Sequence, residues 1–389
     1  MERIVLKRQE IDARNHRALL GTAVAAIVLA GCQTTEAARL IPAVGVASAP
    51  TLATVTPVPP APRLVPPPAG LQNSVQLLVR QFQGKVGAAV ASVDQGWLLS
   101  ANGDVRLPQQ SVSKLWVAMT VLDGIDAGRF TLDTPMKVTR EDLTLFHQPI
   151  AAMVKPGQGF DTTVGDLLQR ALTQSDNTAN DRLLRFVGGP EAVRGFIARK
   201  ALGNIRFGPG ERLLQAQTAG LQWRPDFAFN NGFIRARAAL PLEARSAALD
   251  AYVADPPDGA APAAIATALS RLKQGELLRP FTTGYLIATM ESSKTGRMRL
   301  RGAVPLGWSF GHKTGTGQDL LSRTAGYNDV GILTAPDGRS YTLAVMIGDT
   351  RRPIAERQAL MQQVVASIIA YHGPGNMAAV SSPGSSATP

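Results

Sequence analysis

The hydrophobic patterns predict an α/β (α+β) fold: an antiparallel sheet flanked by helices, with an inserted all-helical domain. Strand and helix patterns occur near both ends of residues 71–372. The intervening stretch, about 110–290, consists mostly of helical patterns broken by Gly and Pro. The composition, 45% hydrophobic and 18% charged in 389 residues, is that of a globular protein. We therefore expect one large domain whose sheet is built from both ends of the chain.

The first half of the sheet is predicted between residues 74 and 100. Residues 74–82 have helical spacing, and 86–93 form an uninterrupted run of small and apolar residues typical of a buried strand. A polar turn, Asp94-Gln95-Gly96, separates this run from a second short strand at 97–100. The pattern indicates a helix followed by a β-hairpin.

The second half of the sheet is predicted after the helical block. Strand patterns occur at 308–313, 325–333 and 341–347, and Pro336-Asp337-Gly338 is typical of a hairpin turn between the last two. A final helix, 354–372, carries an apolar stripe on one side. Such a stripe is typical of a helix that buries one side in the protein core.

The N-terminus has the pattern of an export signal. Five basic side chains in residues 1–17 precede fourteen uncharged residues, 18–31, a run too short for a spanning helix. The run ends in Leu29-Ala30-Gly31-Cys32, which resembles a bacterial lipoprotein box, and Cys32 is the only cysteine. This resemblance implies that 1–31 is a signal peptide and that Cys32 is lipidated; the alternative is a plain signal peptide with a chance cysteine.

Low-complexity stretches flank the predicted domain. Residues 32–70 contain nine prolines and predict an extended tether, whereas 373–389 are rich in Gly, Ser, Ala and Pro and predict a disordered tail. In Gram-negative lipoproteins, an Asp directly after the lipidated cysteine resembles an inner-membrane retention signal. Here that residue is Gln33, which favours the outer membrane. We expect a lipid-anchored protein of the cell envelope with its catalytic domain, 71–372, in the periplasm.

The charge and the cysteine count exclude several classes of site. With 40 basic and 29 acidic residues the net charge is +11, which predicts an anionic partner. A single cysteine excludes an intramolecular disulfide, a cysteine zinc cluster and an iron–sulfur site, and four histidines leave little for a histidine-rich metal centre. By charge alone the anionic partner could be nucleic acid, a membrane surface, cell wall or an acidic small molecule, but no motif in the sequence calls for nucleic acid. We expect no metal, no cofactor and no nucleic acid, and a monomer.

Three short motifs carry the candidate chemistry. Ser111-Val112-Ser113-Lys114 begins an apolar helix, where positions i and i+3 share a face, so the Ser111 hydroxyl and the Lys114 amine can approach each other. Ser175-Asp176-Asn177 follows an amphipathic helix, and by itself is typical of a turn or helix cap. Lys313-Thr314-Gly315 lies on a predicted strand, where a lysine usually faces solvent. Each motif alone is a weak signal.

Together and in this order, the motifs resemble those of the serine β-lactamase/D,D-peptidase superfamily, class A branch. The resemblance covers about residues 75–371. It implies the fold of that superfamily and a serine β-lactamase of antibiotic resistance, which hydrolyses the β-lactam amide through an acyl-enzyme on Ser111. By the same resemblance Lys114 accepts the Ser111 proton, directly or through a water. Ser175 then passes a proton to the departing nitrogen.

The resemblance also implies the substrate contacts. Asn177 would hold the side-chain amide, and the backbone N–H groups of Ser111 and Thr316 would form the oxyanion hole. Phe146 is a candidate rim aromatic or a plain core or surface side chain, and Arg323 is a candidate second cation in the loop after Thr316. The predicted substrate-binding residues are Asn177, Lys313, Thr314, Gly315, Thr316, Phe146 and Arg323.

Deacylation requires a carboxylate that activates water. Glu211-Arg212-Leu213-Leu214-Gln215 resembles the class A pattern E-x-x-L-N, with Gln215 in place of the asparagine. Glu211 is therefore the candidate base; the alternative is a solvated loop glutamate. The long stretch 218–261 departs from the family pattern and looks like an insertion in the loop that floors the active site; within it, Glu243 is a candidate substitute base.

The motifs alone also allow functions other than β-lactam hydrolysis. A D,D-carboxypeptidase or another peptidoglycan-directed serine hydrolase would share the acylation residues, and the partner would then be a peptidoglycan stem peptide rather than a β-lactam. A non-catalytic, cell-wall-binding lipoprotein would not need all three motifs. Residues 307–311 match G-x-S-x-G, but they run directly into the strand of Lys313 instead of a helix, which argues against a triad hydrolase.

Overall fold

A computed structural model of the chain describes residues 65–373. The predicted signal peptide 1–31, Cys32, residues 33–64 of the predicted tether and residues 374–389 of the predicted tail lie outside the described residues. The first helix begins at Ala69, inside the last residues of the stretch predicted as tether. Among the described residues, no helix is both long enough and apolar enough to span a bilayer.

The order of helices and strands along the chain agrees with the sequence prediction. The strands are β1 (Lys85–Ser92), β2 (Leu98–Ala101), β3 (Leu107–Pro108), β4 (Pro135–Val138), β5 (Phe160–Thr163), β6 (Gly259–Ala260), β7 (Ser309–Thr316), β8 (Asp319–Leu320), β9 (Arg323–Thr324), β10 (Tyr327–Thr334) and β11 (Ser340–Asp349). The helices are α1 (Ala69–Gln81), α2 (Lys114–Asp126), α3 (Val164–Gln169), α4 (Asn177–Phe186), α5 (Gly189–Arg199), α6 (Glu211–Thr218), α7 (Gly232–Ala238), α8 (Leu242–Ala254), α9 (Pro262–Lys273), α10 (Pro280–Glu291) and α11 (Ile354–His372).

The main sheet is antiparallel, with the strand order β2-β1-β11-β10-β7. Both predicted hairpins, β1–β2 and β10–β11, are present, and β1 pairs with β11 so that the two ends of the chain meet in one sheet. β7, which carries the predicted lysine motif, is the edge strand and pairs with β10. The predicted sheet with an inserted block is confirmed.

Both faces of the sheet are buried, and the side chains of each strand alternate between the two faces. In β11, Val345 and Ile347 lie in one apolar cluster with α1 and α11, whereas Ala344 and Met346 lie in the other cluster, with α9 and the helical part. Successive side chains of a strand point to opposite faces, so one strand supplies both cores. The apolar stripe of α11 packs as predicted.

The helical part is organised around α2. This helix is apolar on nearly all sides, and Trp116 and Met119 are fully buried within it, as expected of a helix enclosed by others. The inserted part is not purely helical, because β4 and β5 form a two-stranded ribbon and β3 pairs with β6. The start of α2 therefore lies at the junction between the helical part and β7.

Candidate active site

Ser111 lies in a short 3₁₀ turn, Gln110–Ser113, that leads into α2. The turn places Lys114 one turn further on, with its Nζ 2.7 Å from the Ser111 Oγ. This is the i, i+3 approach that the sequence predicts. The serine hydroxyl thus has an amine within hydrogen-bonding distance.

The residue before the nucleophile is held in a left-handed conformation. Gln110 has φ +54°, and its N–H donates to the Asp258 carboxylate at 2.7 Å. The Gln109 carbonyl beside it lies so close to β7 that a Cβ on Gly315 would be 2.2 Å from its oxygen. Only glycine fits at 315, and this contact sets the position of β7 against the nucleophile turn.

Lys114 is the centre of a buried polar cluster. Its Nζ donates to the Asn177 Oδ1 at 2.8 Å and forms an ion pair with Glu211 Oε1 at 2.5 Å. The Lys114 side chain is fully buried and that of Glu211 is 5% exposed. Burial alone would raise the pKa of Glu211, but the Lys114 ammonium overcomes this and holds that pKa below its ordinary value. Glu211 is therefore not a solvated loop glutamate.

Neighbouring side chains fix the position of Glu211 at the start of α6. The Asp181 carboxylate, on α4, accepts the N–H groups of Glu211 and Arg212 at 3.2 and 3.4 Å. Gln215, one turn along α6, donates its Nε2 to Glu211 Oε2 at 3.2 Å and to Gln110 Oε1 at 2.8 Å. The Gln215 amide thus links the carboxylate to the nucleophile turn.

The Ser175-Asp176-Asn177 triplet is both a helix cap and part of this site. Asp176 caps α4 by accepting the N–H of Ala179 at 2.9 Å. Ser175 has φ +59° and accepts a hydrogen bond from Lys313 Nζ at 2.9 Å. Asn177 donates its Nδ2 to the Leu145 carbonyl at 2.9 Å. The cap aims Ser175 at β7 and Asn177 at Lys114.

Two cations lie beside the end of β7. Burial, and then the charge of Lys114, hold the pKa of Lys313 well below its ordinary value. Arg299, which is 8% exposed, donates to Thr316 Oγ1 at 2.5 Å and to the Gly315 carbonyl at 2.9 Å. An anionic group at Thr316 would meet both charges.

The prediction of Arg323 as this second cation is not supported by its position. Its guanidinium pairs with Asp349 at 2.7 Å and Asp250 at 2.5 Å and does not line the cleft. Arg299 takes the place instead, packed over the Tyr327 ring at 3.8 Å. The sequence prediction missed Arg299 because Arg299 precedes β7, whereas the predicted second cation was taken from the loop after Thr316.

Phe146 lies on the rim of the cleft. Its side chain is 48% exposed, and its ring packs edge-on against Phe233 of α7 at 5.1 Å between centroids. Phe146 also has φ +58°, a conformation that bulky residues rarely adopt. The insertion therefore supports the rim aromatic through Phe233.

Glu243 is not part of the cleft. It lies in the first turn of α8, exposed to solvent, and is absent from the residues that line the cavity. Its candidacy as a substitute base is wrong on position, since the buried carboxylate beside Lys114 belongs to Glu211. Among residues 65–373, no group of three or more His, Cys, Asp or Glu side chains could hold a metal ion.

These side chains surround one cleft of about 550 Å³. It lies between the helical part and β7. Its walls are formed by Ser111, Phe146, His147, Ser175, Asn177, Glu211, Gln215, Arg237, Thr295, Gly296, Arg299, Thr314, Thr316, Gly317, Gln318 and Asp319. A buried serine–lysine–glutamate chain that opens on such a cleft, with cations at one end, suits acyl transfer on an anionic substrate.

Comparison with known proteins decides the family. A family model described as the β-lactamase enzyme family matches residues 70–372. The chain belongs to the β-lactamase enzyme family. The predicted resemblance, the fold and the enzyme class, a class A-like serine β-lactamase, are confirmed, and the peptidase and non-catalytic alternatives are not favoured.

Individual relatives agree with this membership. The chain is 29% identical to extended-spectrum β-lactamase PER-1 of Pseudomonas aeruginosa over 76% of this chain and 84% of that protein. It is 26% identical to β-lactamase SME-1 of Serratia marcescens, over 63% of this chain and 70% of that protein. Among solved structures, a β-lactamase from Chitinophaga pinensis superposes with a TM-score of 0.63 at 26% identity, over 78% of this chain and 99% of that one.

Proposed function

We propose that this β-lactamase opens the lactam amide in two steps, through an ester on Ser111. The observation that carries the proposal is the contact chain from Ser111 Oγ to Lys114 Nζ, 2.7 Å, and on to Glu211 Oε1, 2.5 Å. Such a chain can remove the hydroxyl proton while the oxygen attacks the carbonyl carbon.

In the acylation step, Lys114 takes the Ser111 proton as it passes one of its own protons to Glu211. The attack turns the carbonyl oxygen into an oxyanion, for which the N–H groups of Ser111 and Thr316 are the candidate donors, worth about 3 kcal/mol each. Collapse of the intermediate breaks the C–N bond. Ser175, hydrogen-bonded to Lys313, gives its proton to the departing nitrogen and receives in its place the proton held by Glu211, returned through Lys114, so that Glu211 is again a carboxylate.

In the deacylation step, Glu211 takes a proton from the water that attacks the ester carbonyl carbon. The bond from that carbon to Ser111 Oγ then breaks, and Oγ recovers its proton from Glu211 through Lys114. Gln215 holds the carboxylate through its amide nitrogen, at 3.2 Å. Its own amide oxygen accepts a hydrogen bond from Gln318 at 3.0 Å, so the side chain is fixed at both ends. This supports a positioning role for Gln215, with one more methylene than the asparagine of the class A pattern.

The ring carboxylate of the substrate has two cations and two hydroxyls available. Lys313, Arg299, Thr314 and Thr316 lie together at the end of β7. Charge-assisted hydrogen bonds to a carboxylate are stronger than neutral ones, so this end favours an anionic ring. At the other end of the substrate, we assign the contact with the amide of its side chain to Asn177.

Hydrolysis of nitrocefin and benzylpenicillin by the purified protein tests the proposal. Ser111→Ala should abolish turnover, whereas Ser309→Ala, an exposed serine of the same chain, should retain it. Glu211→Gln should acylate more slowly, with the Lys114 amine alone as the proton acceptor, and then stall, with a penicilloyl adduct visible by intact-protein mass. A wild-type protein that stalls in this way and releases D-alanine from a stem-peptide mimic would instead be a peptidase.

We also propose that the protein is lipid-anchored through Cys32, with its catalytic domain in the periplasm and the outer membrane as the preferred site. The support is the sequence alone: Leu29-Ala30-Gly31-Cys32, Gln33 and the proline-rich 32–70. Stable anchoring needs more than one acyl chain, which a lipobox cysteine receives. Cys32→Ser should move the protein from the membrane fraction to the soluble fraction. Continued membrane fractionation of this variant would contradict the proposal.

A further inference from the structure

The insertion contributes a positive charge to the wall of the cleft. Arg237 lies on α7, inside the stretch 218–261, and its side chain is half-buried among the lining residues. One end of its guanidinium, Nη2, donates to the main-chain carbonyl of Asp319 at 2.5 Å. This contact fixes the guanidinium at the cleft without neutralising it.

Within residues 65–373, no carboxylate forms an ion pair with Arg237 within 4.0 Å. Its Nε is buried and has no hydrogen-bond partner in that part of the chain. Asp319 also lines the cleft, but its carboxylate accepts the Thr324 hydroxyl rather than pairing with Arg237. Arg323, by contrast, has two carboxylate partners. Arg237 therefore has charge and donor capacity to spare for a ligand.

Burial and the nearby Arg245 make this charge costly. Burial first, and then Arg245, lower the pKa of Arg237. The Asp319 carboxylate opposes these two effects only in part, so the pKa of Arg237 stays below its ordinary value and an anion in the cleft would stabilise its charge. A half-buried arginine that lines a cavity is an unfavourable structural choice unless it meets an anion there.

Arg237 reaches the cleft at a different point from the other cations. Arg299 contacts Thr316 at the end of β7, whereas Arg237 contacts Asp319, further along the chain in β8. A bicyclic β-lactam has its ring carboxylate and its acylamino side chain at opposite ends. With the ring carboxylate at Thr316, the same cleft leaves the acylamino side chain within a cavity whose wall includes Arg237 of the insertion.

We propose that Arg237 selects β-lactams whose acylamino side chain carries a carboxylate. The inference rests on the proposed function, since it assumes that the ring carboxylate lies at Lys313 and Arg299. Arg237 is a specificity-determining residue in this scheme and takes no part in bond making. Its ligand is the side-chain carboxylate, bound through the guanidinium Nη donors that the Asp319 carbonyl does not occupy.

Benzylpenicillin and carbenicillin test the proposal, because they differ by one carboxylate on the side chain. Arg237→Gln should lower kcat/KM for carbenicillin about tenfold more than for benzylpenicillin, equivalent to about 1.4 kcal/mol of selectivity. The extra loss should shrink as ionic strength rises, because salt screens the charge pair. Arg237→Lys, which keeps the charge, should retain most of the selectivity.

Arg235→Gln is the matched control, since Arg235 is exposed on the same helix and does not line the cleft. It should leave the carbenicillin-to-benzylpenicillin ratio unchanged. Equal losses on both substrates in Arg237→Gln, or no loss on either, would overturn the inference while leaving the proposed function intact. A wild-type protein that hydrolyses neither penicillin would instead refute the proposed function.

Discussion

The Lys114–Glu211 ion pair permits a quantitative test of the site. Glu211→Gln keeps the shape of the side chain and removes its charge. Lys114 would then keep only neutral acceptors, Ser111 Oγ and Asn177 Oδ1 among them, in a site where its side chain is fully buried. An ammonium in such surroundings is strongly destabilised.

Removing one member of a buried ion pair costs about 3–5 kcal/mol of folding free energy. The glutamine amide oxygen can still accept from Lys114, so we expect the lower end, a loss of about 3 kcal/mol. Urea unfolding followed by the fluorescence of the four tryptophans measures it. A total stability of about 5–15 kcal/mol makes such a loss easy to detect.

The double variant Lys114→Met/Glu211→Gln distinguishes charge from packing. Replacing both members of a buried pair by neutral side chains is often neutral or stabilising, so the double variant should be more stable than Glu211→Gln alone. Glu276→Gln, which removes an exposed partner of Arg271, is the control and should cost less than about 1 kcal/mol. Additive losses, or a Glu211→Gln loss as small as the control's, would refute the electrostatic reasoning.

Three further predictions concern groups that hold the site in place. Asp181→Ala removes the acceptor at the start of α6, so unfolding experiments should show a loss of about 1–2 kcal/mol, and turnover should slow with it. Gly315→Ala places a Cβ 2.2 Å from the Gln109 oxygen and should slow acylation in stopped-flow experiments; unchanged acylation would contradict this contact. Burial raises the pKa of Asp258 from 3.8 to about 6, so the folded state binds the proton more tightly and stability should fall as pH rises from about 4 to 6. Asp258→Asn should remove that slope.

The parts of the molecule predicted from sequence are those fixed by local patterns. The hairpins β1–β2 and β10–β11 follow from short turns between apolar runs, and the Ser111–Lys114 approach follows from helical spacing. Asp181 and Arg299 have no such local signal, since each acts on a segment that only the tertiary fold brings near. A buried carboxylate that caps a distant helix looks in the sequence like any other aspartate.

Buried carboxylates hold the chain near both ends of the long insertion. Before it, Asp181 accepts the N–H of Glu211 at the start of α6; near its end, Asp258 accepts the N–H of Gln110 beside the nucleophile. The free-energy cost of closing a loop grows only slowly with its length, so extra residues between two fixed ends are tolerated. Within those ends, α7 places Phe233 behind the rim and Arg237 in the wall. The catalytic residues thus lie outside this stretch, while Phe233 and Arg237 within it shape one wall of the cleft, which is why we place the predicted substrate preference there.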